Sequence, residues 1–307
     1  MMAARPGFDI LFLGHFAVDR NVVDGVVEIA SGGGVYYGGI AAARLGARVG
    51  VVTRLRAEDF GRLDAFREAG VEVFATAAPD TSGIENTYSS ADMERRVCVP
   101  LGFAGPFAPE DVPDVAARIV AVVPIIAGEV DLPLLKRLAA RAKTFEVSET
   151  SKVYGAPGVA LDVQGFVRVR VGDQLLFRPW ADMAEGLAHV TYLKVDRAEA
   201  EALTGETDLV VAAAKLAACG PREIVLTQSS GVTVYTDGQT HFAPFTPRSL
   251  AGRTGRGDTC FATYLTKRLI STPAEACRWA GAVTTLKQEQ PGPWRGTVGD
   301  VEPLLGG

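Results

Sequence analysis

The feature that most constrains this chain is a rhythm: short apolar runs of strand length alternate with amphipathic runs of helical period along most of its 307 residues. "FDILFLGHF" (Phe8–Phe16) has the continuous apolarity of a strand buried on both faces. "IAAARLGA" (Ile40–Ala47) is Ala-rich and helical, closed by Gly46. "RVGVVTR" follows as a strand, "EDFGRLDAFREAG" as a helix ending at Gly70, and "VEVFAT" as the next strand. Further on, "VVPIIAGEV", "GVALDV", "TYLKV" and "EIVLTQ" read as strands. Between them "LPLLKRLAARAK", "MAEGLAHV", "RAEAEALTG" and "DLVVAAAKLAAC" read as helices. This alternation, without internal repeats, predicts an α/β fold with a mostly parallel sheet and helices on both faces. The length suits one large α/β domain, or a large domain with a small appendage.

Two stretches break the rhythm. "DRNVVDGVVEIASGG" (19–33) and "GIENTYSSADMERRVCVPLGF" (83–103) alternate apolar and polar residues at period two, with no helix inside. They predict half-exposed antiparallel strands inserted into the α/β body. Such strands can form a lid at the sheet edge, where open α/β sheets bind ligands, or plain surface hairpins. A lid predicts that protease nicking around Ser89–Glu94 responds to bound substrate and nucleotide.

Composition excludes several classes. The net charge is −5 and no long basic cluster occurs, which argues against a nucleic-acid partner or a membrane-surface patch. The four cysteines are scattered without a C-x-x-C pair, so neither a disulfide framework nor a zinc site is expected. His15, His189 and His241 share no metal-like spacing, and His15 reads as core or rim packing beside the first strand. The opening apolar stretch is too short for a membrane span and lacks a cleavage pattern; a cytoplasmic protein is expected.

The chemistry concentrates in "AGRTGRGDTCFATYLTKRL" (Ala251–Leu269). The G-x-x-G-x-G spacing is neither a Walker A loop nor the dinucleotide fingerprint. Gly255 and Gly257 allow positive φ and close approach of main-chain amides to a ligand. The run from Asp258 places Phe261, Ala262, Leu265 and Leu269 on one helical face. A helix N-terminus therefore lies just behind the glycines, and the two together make an anion nest. Asp258 shares the inward face of that helix, and the positive helix end favours its charged form. It reads as a proton acceptor for a hydroxyl attacking the anion, or as an ordinary N-cap. The stretch by itself leaves both readings open.

This stretch resembles the C-terminal signature of the ribokinase-like (PfkB) carbohydrate kinases, D-T-x-G-A-G-D. Here Gly252 stands for the leading aspartate and Arg256 for the alanine. "GGGVYYGGIAAARLGA" resembles the family's N-terminal glycine pair, loop and Ala-rich helix. "GHFAVD", "EDFGRLDAFREAGVEV", "KVDRAEAEALTG" and "LTQSSGVTVY" resemble further segments in family order, so the likeness spans nearly the whole chain.

The resemblance implies a single ribokinase-like domain over 1–307: a three-layer sandwich with a mostly parallel central sheet and a small β lid. It implies transfer of the ATP γ-phosphoryl group, with Mg²⁺, to a hydroxyl of a small sugar or polyol, and it leaves a monovalent cation open. Asp258 would accept the proton and the backbone of Gly255, Arg256 and Gly257 would form the anion hole. Asp19 would bind vicinal substrate hydroxyls, with Gly32 and Gly33 allowing close approach. Tyr37 stands where the family usually has a sugar-contacting asparagine, which puts ribose or fructose specificity in doubt. Asp196 and Glu199 match the N-x-x-E pair and would hold Mg²⁺ through water. Thr227 and Gly231 would contact the nucleotide, and Ala282 and Thr285 fall where the family builds its adenine pocket. Trp294 is expected to pack a C-terminal turn. "LDVQGFVRV" adds a likeness to the cyclitol (myo-inositol) branch. A nucleoside kinase, a non-catalytic ligand sensor and a nucleotide-dependent hydrolase are the alternatives. Many relatives dimerise through the lid, so a homodimer is open as well.

Overall fold

The computed structural model describes residues 7–89, 92–143 and 155–306. Its strands, in chain order, are β1 (Phe8–Leu13), β2 (Ala17–Val23), β3 (Val26–Gly32), β4 (Val49–Leu55), β5 (Glu72–Ala77), β6 (Gly83–Ser89), β7 (Asp92–Gly102) and β8 (Ala117–Val122). They continue with β9 (Gly158–Asp162), β10 (Arg168–Val171), β11 (Gln174–Phe177), β12 (Tyr192–Asp196), β13 (Glu223–Gln228), β14 (Gly231–Thr236) and β15 (Gln239–Pro244). Nine of them form the main sheet in the order β15-β14-β13-β12-β9-β8-β1-β4-β5. From β13 to β5 every neighbour is parallel, and only the β13–β14 and β14–β15 pairings at one edge are antiparallel.

Alternation along β1 explains the layers. Ile10 and Phe12 point into one core, shared with the helices Gly34–Arg44, Arg256–Arg268 and Pro273–Gln288. Leu11 and Leu13 point into the other, shared with the helices Leu132–Lys143 and Leu209–Ala217. Helix, sheet and helix therefore stack as three layers, as a doubly covered parallel sheet requires.

The two period-two stretches pair with each other in a second sheet, ordered β3-β2-β6-β7. Each is a hairpin, but β2 and β6 run parallel, so the insert is not antiparallel throughout. Asp24 (φ 48°) and Gly25 (φ 85°) make the β2–β3 turn, whose positive φ values match the twist of paired strands. The β10–β11 hairpin leans on β7. Part of the expected nick region around Ser89–Glu94, at 90–91, lies outside the described residues.

Three local expectations shift. "VVPIIAGEV" is not a strand: β8 ends at Val122, and Pro124 has no N–H to continue a ladder. The segment instead wraps Glu129, whose carboxylate accepts from the Ile125 and Ile126 amides at 2.7 and 2.9 Å. "EDFGRLDAFREAG" divides into a 3₁₀ turn (Ala57–Leu63) and a short helix (Asp64–Glu68), closed by Gly70 at φ 77°. The helix after the glycine loop starts at Arg256, two positions before Asp258. His15 and Trp294 are core residues as expected, His15 bonded to Ser82 at 2.7 Å. Among the described residues no helix is long and apolar enough to cross a membrane, and no cluster of three or more His, Cys, Asp or Glu side chains suits a metal.

Candidate active site

A cavity of about 1060 Å³ opens beyond the carboxyl ends of β12 and β13, between the main sheet and the small one. This is where parallel strands direct ligands, because loops and helix N-termini converge there. Asp19, Gly33, Tyr37, Asp196, Thr227, Gly255, Arg256, Gly257 and Asp258 all line it, so most of the residues singled out in the sequence come together.

Gly255 is the N-cap of the Arg256–Arg268 helix and sits at φ 82°, in the left-handed region. A side chain there would also strike Tyr37, since an added Cβ would lie 2.3 Å from its ring carbons. The Arg256 amide is already donated to the Arg253 carbonyl at 3.2 Å, so it is not an anion-hole donor. Among the described residues no backbone acceptor takes the amides of Gly255 or Gly257. Those two N–H groups and the helix dipole form the cradle. Arg256 contributes its side chain to the cavity instead, together with Arg253. Asp258 is in the first helical turn, half-buried at the same wall.

Lys194 is the residue that pattern reading missed. Parallel pairing of β9 with β12 sets it directly opposite Asp162, and its ammonium lies 3.0 Å and 3.1 Å from the two Asp162 oxygens and 3.5 Å from Glu199. A Cβ on Gly257 would stand 3.7 Å from that Nζ, so a buried cation adjoins the cradle. Burial works against the charge, but Asp162, Glu199, Asp196 and Asp258 hold the ammonium above its ordinary range.

On the other side, Asp19 is the third residue of β2 and its Oδ1 accepts from the Ile84 amide at 2.9 Å. Gly32 faces it across the hairpin: a Cβ there would lie 2.2 Å from Asp19 Oδ2, so a larger residue would displace the carboxylate. Tyr37 turns its hydroxyl to the Ser31 carbonyl at 3.4 Å and its ring to Gly255. Asn86, Gln164 and Arg168, none of them assigned a role from the sequence, complete a polar wall.

Five expected positions do not line the cavity, among them Gly32, which backs Asp19. Glu199 is fully buried; it accepts from the Asp196 amide at 2.7 Å and faces Lys194, while Asp196 caps Glu199 in return. Burial lifts its carboxyl above the usual range against the pull of Lys194. The Asp196–Glu199 pair is thus a capping box rather than an open Mg²⁺ seat, and only Asp196 faces the cavity. Gly231 begins β14, packed tightly against Ala243 and Phe242. Ala282 packs with Leu45, Val283, Trp294 and Val301. Thr285 donates to the Gly281 carbonyl at 2.9 Å and accepts from the Thr246 amide at 3.1 Å. Neither residue lines the cavity.

A three-layer parallel sheet with an anion cradle, a carboxylate and a polar wall in one cavity defines a phosphotransferase with a hydroxyl acceptor. The chain belongs to the pfkB family carbohydrate kinases, which it matches over residues 10–294. It is similar to a pyrophosphate-dependent kinase of the ribokinase family solved as a sulfate complex, at 36% identity and TM-score 0.85, covering 95% of this chain and 99% of that one. It is equally similar to a pyrophosphate-dependent kinase of that family complexed with a pyrophosphate analog and myo-inositol, at 35% identity and TM-score 0.85, over 96% and 99% of the two chains. Arabidopsis thaliana ribokinase complexed with ribose and ATP shares the fold at 19% identity and TM-score 0.74, over 98% and 99%. No curated protein matches the chain by sequence.

Proposed function

We propose that this chain transfers a phosphoryl group from inorganic pyrophosphate to a hydroxyl of a cyclitol such as myo-inositol. The observation that carries this reading is that Asp258 and the cradle share one cavity with a wall of hydroxyl-binding side chains: Asp19, Asn86, Gln164 and Arg168. An acceptor hydroxyl held on that wall gives its proton to Asp258 as its oxygen attacks the terminal phosphorus. The new P–O bond forms, the bridging P–O bond breaks, and orthophosphate leaves with the bridging oxygen. The cradle amides, Lys194, Arg253 and Arg256 answer the charge on the donor.

Two observations favour pyrophosphate over ATP. Ala282 and Thr285 are spent on packing, and the relatives at 35–36% identity are pyrophosphate-dependent kinases. ATP is the second reading, favoured by Thr227 beside the cradle, where a nucleotide's phosphates would run. Mg²⁺ would accompany either donor on its phosphates, with Asp196 a carboxylate that lines the same cavity. The small sheet is proposed to close over the acceptor, and its exposed β3 residues Val26, Val27 and Ile29 to support a dimer. The expected compartment is the cytoplasm.

The test is a turnover screen of pyrophosphate and ATP against inositols, ketoses, aldoses and nucleosides. Phosphorylated cyclitol with pyrophosphate, and little with ATP, is the expected result. Turnover with ATP alone moves the donor to the second reading. Hydrolysis of either donor without an acceptor product overturns the kinase.

A further inference from the structure

Beneath the cradle lies a second buried lysine that the proposed chemistry has not used. Lys287 closes the Pro273–Gln288 helix and is 2% exposed. Its ammonium donates to the Gly252 carbonyl, at the start of the loop, and lies 5.1 Å from the centre of the Tyr37 ring. That ring is the surface on which Gly255 rests. The side chain therefore touches the loop's first residue and the support under its apex.

The backbone repeats the grip. The Gly252 amide donates to the Gln288 carbonyl at 2.7 Å, and a Cβ on Gly252 would lie 1.8 Å from the Gln290 carbonyl oxygen. No aspartate could stand at 252, and the space beneath the loop is filled by the lysine.

An ammonium in this place is costly. Burial pulls its pKa down to about 8, while the Asp258 carboxylate pulls it back up. A methionine would fill the same volume without a charge to desolvate. What the charge contributes is its position, directly under amides that must receive an anion and within the field of Asp258.

We propose that Lys287 is a positioning residue: its ammonium holds the Gly252–Asp258 loop in its anion-receiving shape and supplies a fixed positive charge, so that transfer needs no monovalent cation from solution. This rests on the phosphoryl-transfer reading of the same site.

The experiment compares the wild type, Lys287→Met and Lys287→Ala with whichever donor the wild type turns over. For Lys287→Met, kcat/KM for the donor is expected to fall at least about tenfold with the acceptor KM within about threefold. Lys287→Ala is expected to regain at least about fivefold on adding ammonium or methylammonium chloride, and nothing with choline chloride. Wild-type turnover should be the same, within about twofold, in potassium, sodium or choline chloride. Near-normal turnover by Lys287→Met, a loss in Lys287→Ala that ammonium does not restore, or strong activation of the wild type by potassium or sodium overturns the proposal. Should the wild type turn over no donor, the phosphoryl-transfer reading fails, and calorimetric binding of pyrophosphate still tests Lys287. Weakening of at least about tenfold in Lys287→Met supports its role; equal binding overturns it.

Discussion

Gly255→Ala strikes the cradle at its most demanding point. Gly255 sits at φ 82° and ψ 10°, a conformation that costs an alanine about 1–2 kcal/mol. The new methyl would also meet the Tyr37 ring at 2.3 Å. That ring is 3% exposed and is packed edge-on to Tyr36 at 5.3 Å, so it has little room to retreat. Forcing a methyl into a packed site costs about 1–3 kcal/mol more. The sum, about 2–5 kcal/mol, should appear as a lower urea midpoint with an unchanged m-value. Turnover should fall by about 100-fold or more, because a cradle displaced by an ångström no longer meets the donor. The double variant with Tyr37→Leu separates the contributions. Its coupling energy should recover the crowding share, about 1–3 kcal/mol, and leave the backbone share in place. A Gly255→Ala protein within about 0.5 kcal/mol of wild type, with normal turnover, would refute the reasoning about both φ and the ring.

Asp258→Asn should lower turnover by about 10²–10⁴ while pyrophosphate binding, read by calorimetry, is retained or strengthened; a near-normal rate removes Asp258 from the mechanism. Lys194→Met strands Asp162 and Glu199 without their shared cation and should cost about 3–5 kcal/mol in urea unfolding, whereas a loss below about 1 kcal/mol means the cluster reorganises freely. Lys287 titrates at about 8 against an ordinary 10.5, so between those values the unfolded chain holds the proton more tightly. The penalty is full below pH 8 and is relieved as pH rises toward 10.5, so wild-type stability should gain on Lys287→Met by about 3 kcal/mol across that window. A stability difference that does not change with pH across that window would show that the fold leaves the Lys287 pKa unshifted.

The α/β body is legible in the sequence because apolar periodicity and glycine stops act locally: Gly46 and Gly70 close helical segments at positive φ where the sequence ends them. The glycine cradle is legible for the same reason. What escaped was set by register and packing. A lysine in "TYLKV" looks like any polar residue on a strand until pairing sets it against Asp162, thirty-odd residues earlier in the chain. Lys287 at a helix end reads as a complement to the dipole, yet its ammonium turns inward to a loop. Glu199 was assigned a metal because the spacing fits a shared face, and the same spacing fits a capping box. Ala282 and Thr285 were placed by position alone, which says nothing of the way a helix face turns.

The cavity divides by ancestry of its walls along the chain. Asp19, Gly33, Ile84, Asn86 and Cys98 come from the first hundred residues and Gln164 and Arg168 from the middle, while Lys194, Thr227 and the loop from Arg253 to Asp258 come from the last hundred-odd. On the proposed reading, choice of alcohol and handling of phosphate are written in separate text. Drift in the first can retune which molecule is modified without disturbing the second, and exchanging the early strands together with the segment around Gln164 and Arg168 between relatives is a direct way to transplant that preference.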